Sequence, residues 1–253
     1  MESLAPLIAA SINAGTPLLL AALGLLMNER SGVLNLGAEG MMLVAAVVGF
    51  MVGYQTQIPL LGFAAGALAG MVMATLFAWL ALVLVTNQVA TGLALSIFGT
   101  GLSAFMGQRF VGMSLPAQAY GIPGLKSLPF VGPALFGHHW MVYFSLLLCG
   151  AIAWFLFKTR AGLTLRAIGE SPESAHALGY PVRTIRFGAL LFGGVTILQF
   201  YLQGIGVSVP SQILSMAPFA ATIVVLAVIS RNPDWIRLNM PASLGKPFRP
   251  GSA

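Results

Sequence analysis

The sequence predicts an all-α polytopic membrane protein, a bundle of about seven transmembrane helices. Three observations carry that expectation. Of the 253 residues 58% are hydrophobic and only 7% are charged, against roughly 25% charged in an ordinary soluble domain. Apolar stretches near the span length recur along the chain, parted by polar or Pro/Gly-rich breaks. The basic residues concentrate in a few of those breaks. A water-soluble surface cannot be covered with so few charges, whereas lipid-facing positions favour apolar side chains.

A helix needs about 20 mostly apolar residues to cross ~30 Å of hydrocarbon. Seven stretches meet that length, some narrowly: about 4–27, 33–54, 60–85, 89–108, 139–157, 188–206 and 213–230. The third carries Gly62, Gly66 and Gly70 four apart, continued by Ala74 and Ala78. That spacing puts small residues on one helix face, where another helix can approach closely. Between the fourth and fifth stretches Pro116, Pro123, Pro129 and Pro133 mark a surface loop.

Orientation follows from the distribution of basic residues. With the link 158–187 placed in the cytoplasm, Arg30, Lys158, Arg160, Arg166, Arg183, Arg186, Arg231, Arg237, Lys246 and Arg249 all fall inside. Of the 12 basic residues only Arg109 and Lys126 fall outside. The N-terminus is then external, and the C-terminus, with a tail 231–253, is cytoplasmic. Trp140, Tyr143 and Trp154 come to lie at the interfaces that amphipathic rings prefer. The net charge of +6 is thereby a topological feature, and no nucleic-acid partner is expected. The opening Met1-Glu2-Ser3 lacks the basic region of a cleavable signal, so the first span is expected to be retained.

The link 158–187 contains RAGLTLRAIGESPESAHALGYP at 160–181. Ser171 suits an N-cap, Pro172 the first helical position, and Glu173 the positive end of the helix dipole. Gly179 suits a left-handed helix end and Pro181 prevents resumption. The expectation is a capped helix of about two turns, too short to span and flanked by basic residues. It suits either a docking helix for a soluble partner or an ordinary re-entry loop.

Asn35 and Glu39, spaced i, i+4, are expected on one helix face. Glu39 is the one acidic residue placed inside a span. It would face a pathway, pair with Arg30, or stay hydrated at the cytoplasmic interface. Gln199 and Gln203 share a spacing of four as well, with interhelical hydrogen bonding as the default role and a pathway role as the alternative. His138 and His139 have no third ligand nearby in the sequence, and the lone Cys149 makes no disulfide. No metal, no cofactor, no catalytic residue and no Walker phosphate loop are expected, which points away from an enzyme.

Three segments resemble a known family. NERSGVLNLGAEGMMLVAA at 28–46 resembles the signature of permease subunits of bacterial ABC importers in the branched-chain amino acid, ribose and nucleoside group. LRAIGESPESAHALGYPV at 165–182 resembles that group's cytoplasmic coupling segment, and ISRNPDWIRLNMPASLGKPFRPG at 229–251 resembles its simple-sugar or nucleoside branch. The resemblance implies one permease domain over 1–253, in the bacterial inner membrane. It implies a cytoplasmic ABC ATPase, a second permease subunit and an extracytoplasmic substrate-binding protein as partners, besides membrane lipid. The coupling role falls on Arg166, Gly169, Glu170, Pro172, Glu173, Ala175 and Gly179, which stand where the family pattern has them.

One departure from that pattern bears on activity. The run FGALLFGG at 187–194 is followed at once by VTILQ at 195–199, where the family carries more chain. The resemblance implies that about two spans with their loops are absent here, and that transport is impaired. Two other classes compete: a self-sufficient secondary transporter or channel, for which ionisable residues at mid-membrane are scarce, and a non-transporting membrane scaffold.

Overall fold

The computed structural model describes residues 4–113, 137–196 and 240–248. Within them the regular structure is all helical, joined by turns, and contains no strand. Helix α1 runs Leu4–Arg30 with Pro17 inside it, and α2 runs Ala38–Thr56. Gln57, at φ 56°, ends α2 by turning left-handed and donating its N–H to Gly53 O. α3 spans Pro59–Ala78, opened by a proline at its first position. It continues through a π-helical turn at Trp79–Val83. α4 runs Gln88–Gly107, with Asn87 Oδ1 accepting from Ala90 N–H at 3.1 Å as its N-cap. α5 (Trp140–Lys158) is capped by His139, whose Nδ1 accepts from Met141 N–H at 3.2 Å. α6 (Arg160–Glu170), α7 (Pro172–Ala177) and α8 (Val182–Thr196) complete the described helices.

Among the described residues, four helices are long and apolar enough to cross a membrane: Ala38–Thr56, Pro59–Val83, Gln88–Phe110 and Trp140–Lys158. They correspond to the second through fifth expected spans. The first expected span lies in α1, a helix of 27 residues. α8 covers the sixth only to Thr196. Its remainder, with Gln199 and Gln203, and the whole of the seventh lie outside the described residues.

α2 packs between α3 and α4, and α8 packs against both α1 and α3. Val33, Met41, Met73, Phe77, Leu95 and Leu190 form one core at that junction. A second core joins α1, α5, α6 and α8 through Leu20, Met27, Ile152, Leu156, Leu165 and Ala189. Outward positions are apolar too: Leu68, Val72, Leu93, Ile97, Phe105 and Leu147 are exposed. That is the arrangement of a helix bundle solvated by lipid, since water would penalise such a surface.

The glycine face of α3 serves two neighbours. A Cβ on Gly62 would stand 2.7 Å from Gly49 O of α2, while Gly70 lies against Gly194 of α8. Gly66, Ala74 and Ala78 are buried along the same stripe. Small residues here let helices on either side of α3 come to backbone contact.

Candidate functional site

At one end of the bundle the turn between α1 and α2, the α6–α7 segment, the start of α8 and residues 240–248 gather together. α7 forms as the local signals predict. Ser171 Oγ accepts from Ser174 N–H at 3.4 Å and lies 2.7 Å from Ser174 Oγ, Pro172 opens the helix, and Glu173 sits in its first turn. At the other end Gly179 N–H donates to His176 O at 2.9 Å and Tyr180 N–H to Ala175 O at 3.1 Å. With Gly179 at φ +87°, this pair of bonds is the Schellman arrangement, which satisfies carbonyls a helix end otherwise leaves open.

A second helix of the link, α6, precedes α7. Thr159 caps it, Oγ1 accepting from Gly162 N–H at 3.0 Å. Its apolar side, Leu165 and Ile168, faces the bundle, and α7 follows after the single residue Ser171. The two short helices thus make one elbow seated on the ends of α1, α5 and α8.

The seven residues assigned to coupling divide between the two sides of that elbow. Gly169, Pro172 and Ala175 are buried, while Glu170, Glu173 and Gly179 are exposed. Arg166 is half-buried with its guanidinium 5.0 Å from the centre of the Phe157 ring, a cation–π contact. Gly169 rests against the chain at Arg30–Gly32: a Cβ there would stand 3.1 Å from Arg30 C and 3.2 Å from Gly32 N. Glu170 Oε2 accepts from Ala242 N–H at 3.3 Å. Beside these, Leu178 (78% exposed) and Tyr180 form an exposed apolar edge at the end of α7.

The shared face expected of Asn35 and Glu39 does not form. α2 begins only at Ala38, because Asn35 Oδ1 takes the Gly37 N–H at 3.0 Å in a local turn. Asn35 is buried, its Nδ2 3.7 Å from Met41 Sδ. Glu39 is exposed in the first turn of α2, where a carboxylate complements the helix dipole.

The most connected polar groups at this end were not singled out by sequence. Arg186, 1% exposed, donates from Nε to Ser31 O at 2.9 Å and from Nη2 to Ser243 Oγ at 3.0 Å. Burial lowers its pKa to about 10, with the Glu173 carboxylate acting in the opposite sense; it remains charged at neutral pH. Ser243 Oγ in turn donates to Gly169 O, which also accepts the Ser243 N–H at 3.2 Å. Gln88, likewise buried, accepts the Leu34 N–H at 2.8 Å on Oε1. These partners lie 54 to 155 residues apart in the chain, so no local spacing announces them.

Comparison with known proteins accords with this architecture. Residues 7–234 match the family described as branched-chain amino acid transport system / permease component. The chain is 43% identical over 199 residues to the putative glucose ABC transporter permease protein TsgC13 of Haloferax volcanii, covering 77% of this chain and 60% of that one. It is 30% identical over 211 residues to the guanosine ABC transporter permease protein NupQ of Bacillus subtilis, covering 77% and 65%. Against the nucleoside ABC transporter permease protein NupC of Lactococcus lactis the identity is 29% over 212 residues, covering 79% and 65%. The chain therefore spans less than two thirds of the length of each of these relatives. No solved structure matches it. The family match over most of the chain and the apolar helices on which it falls place this protein in the branched-chain amino acid transport system permease family, as a membrane protein.

Proposed function

We propose that the chain is the transmembrane permease subunit of an ATP-driven ABC importer for nucleosides or simple sugars. The carrying observation is the α6–α7 elbow, a capped short helix turned outward at one end of an apolar bundle. In this reading a cytoplasmic ATPase docks on α7, a second permease completes the pathway, and an extracytoplasmic binding protein delivers substrate. ATP is hydrolysed on the partner, and the docked elbow biases the helices between inward-open and outward-open states. The printed names of the relatives, which mention glucose, nucleosides and guanosine, support the substrate class.

The orientation is N-terminus out and C-terminus in, across a bacterial inner membrane. Supporting it, three segments assigned to the cytoplasm by their basic residues meet at one end: the Arg30–Gly32 turn, the α6–α7 elbow and residues 240–248. The assignment by charge requires these segments to lie on one side, and their packing together is compatible with it.

The test is affinity purification of the tagged chain from membranes that express the importer's ATPase. The wild-type chain is expected to retain the ATPase, and Leu178→Asp, which charges the exposed apolar edge of the elbow, to retain several-fold less. A wild-type chain that retains none of it overturns the assignment.

A further inference from the structure

Residues 240–248 return to the elbow and are fastened to it at three points. Ser243 is bonded through N–H and Oγ to Gly169 O, at the end of α6. Ala242 N–H donates to the Glu170 carboxylate at 3.3 Å. Phe248, 8% exposed, sits with Ile168, Ala175 and Val182, its ring centre 5.5 Å from that of His176. A turn with Leu244 N–H on Pro241 O at 3.1 Å and Lys246 N–H on Ser243 O at 3.0 Å holds the segment's shape.

The same serine is gripped from the other side. Arg186 bridges Ser243 Oγ and Ser31 O, so one guanidinium joins α8, the α1–α2 turn and the tail, and through Ser243 reaches the end of α6. The fit is tight: a Cβ on Gly32 would stand 2.6 Å from Ser243 Oγ and 2.7 Å from Arg186 Nη2. A buried guanidinium has a planar, fixed fork of donors and cannot shed its charge at neutral pH. It is therefore a stiff connector, unlike a hydrated surface lysine.

Physical consequences follow from which element each contact restrains. α7 spans only Pro172–Ala177 and is joined to α6 by one residue, Ser171. Phe248 covers its inner side and Ser243 fixes the preceding carbonyl. Through these contacts α7 is tied to the α1–α2 turn and to α8.

We propose that residues 240–248 are a latch, with Arg186 as its positioning residue, that locks the α6–α7 elbow to the α1–α2 turn and α8 and so transmits ATPase movement into the membrane helices. This rests on the permease reading for the direction of coupling, whereas the latch itself is a property of this chain alone. It assigns to the tail a mechanical role in coupling, separate from the docking edge at Leu178 and Tyr180.

Two measurements test it. In a Cys149→Ser background, Ala175→Cys (a site 5% exposed beneath Phe248) reports the latch by its rate of maleimide labelling. Adding Phe248→Ala is expected to raise that rate at least tenfold, while Lys246→Ala, at an exposed position, leaves it unchanged. An equal rate with and without Phe248 overturns the latch.

The second measurement uses the complex of this chain with its sister permease and ATPase. Ser243→Ala and Phe248→Ala are expected to retain the ATPase at wild-type stoichiometry yet lose threefold or more of the ATPase stimulation given by loaded binding protein. Arg186→Lys, which keeps the charge but not the fork, is expected to fall between wild type and Ser243→Ala. Stimulation unchanged in both latch variants, or stimulation lost only in step with ATPase retention, overturns the coupling role. Failure of the wild-type chain to retain any ATPase counts against the permease reading, and the labelling result then decides the latch by itself.

Discussion

Gly99 of α4 lies directly against Gly40 of α2: a Cβ on Gly99 would stand 2.6 Å from Gly40 Cα, and one on Gly40 2.6 Å from Ser96 Cα. Two backbones meet here with no side chain between them. Such approach maximises dispersion contact between helices that gain nothing from the hydrophobic effect within lipid. Met41 and Leu95, both buried, flank the crossing in the central core.

Gly99→Ala is therefore expected to force α4 away from α2, because the obstructing atoms are backbone and cannot rotate aside. Overpacking of this kind costs about 1–3 kcal/mol. The readout is the midpoint of thermal aggregation of the detergent-purified protein, lowered for Gly99→Ala and unchanged for Gly101→Ala, where a Cβ meets nothing within 4 Å. Equal midpoints for the two variants would refute the crossing.

Glu29 offers a pH-dependent test just beyond the expected first span. Its pKa is raised above 4.5 by burial, which outweighs the lowering effect of the neighbouring Arg30. A carboxyl with a raised folded pKa stabilises the fold fully only below its unfolded pKa, and that contribution is lost as pH rises through the folded value. At pH 7 the charged form is thus a burden. Glu29→Gln is expected to be more stable than wild type at pH 7, with the gap closing as pH falls toward and below 4.5. Unfolding midpoints across pH 4–8 check it, and a gap independent of pH contradicts the burial of this carboxylate.

How far the sequence could be read depended on the range of the interactions involved. α7 was legible because capping is local: Ser171, Pro172 and Gly179 act within one or two turns of themselves. The glycine stripe on α3 was legible as a packing face from its period of four, though not that its two ends contact different helices. Asn35 and Glu39 failed at the next level. Their spacing assumed a continuous helix, and the Asn35 side chain competes for the Gly37 N–H and delays its start. Arg186 was counted for orientation alone, since its partners Ser31 and Ser243 lie 155 and 57 residues away. Only a folded chain brings them together.

The end of α7 gives a third prediction. At φ +87° a residue with a Cβ is strained, by roughly 1–2 kcal/mol for ordinary side chains. Gly179→Val adds branching to that strain and should unravel the Schellman bonds from His176 and Ala175. No atom lies within 4 Å of the site where the new Cβ would stand, so the effect is conformational rather than a clash. Gly179→Asn, which tolerates the left-handed region, should behave nearly as wild type. Under the proposed function, ATPase retention is expected to fall for valine and survive for asparagine. A parallel loss in both would instead make Gly179 a direct contact.

The junction at Gly194 and Val195 gives the last. The family resemblance implies two spans missing between these residues, and α8 nonetheless runs through both without a break, as far as Thr196. Gly194 is seated on α3: its added Cβ would stand 2.7 Å from Gly70 O and from Ala74 Cβ. One residue earlier, Gly193 abuts the amide of Asn28: a Cβ added there would stand 2.8 Å from Nδ2 and Oδ1. Asn28 is fully buried, and neither of those amide atoms has a hydrogen-bond partner among the described residues. Leaving such a group unsatisfied costs about 1–3 kcal/mol. Under the proposed function, the absence of two spans would keep the topology downstream but take away part of the pathway wall. In a strain lacking the full-length counterpart, uptake of labelled nucleoside or sugar by this chain is therefore expected at background. Inserting the corresponding two-span segment of a full-length relative between Gly194 and Val195 is expected to restore it. Uptake by the unmodified chain at the full-length rate would show that no missing wall limits it.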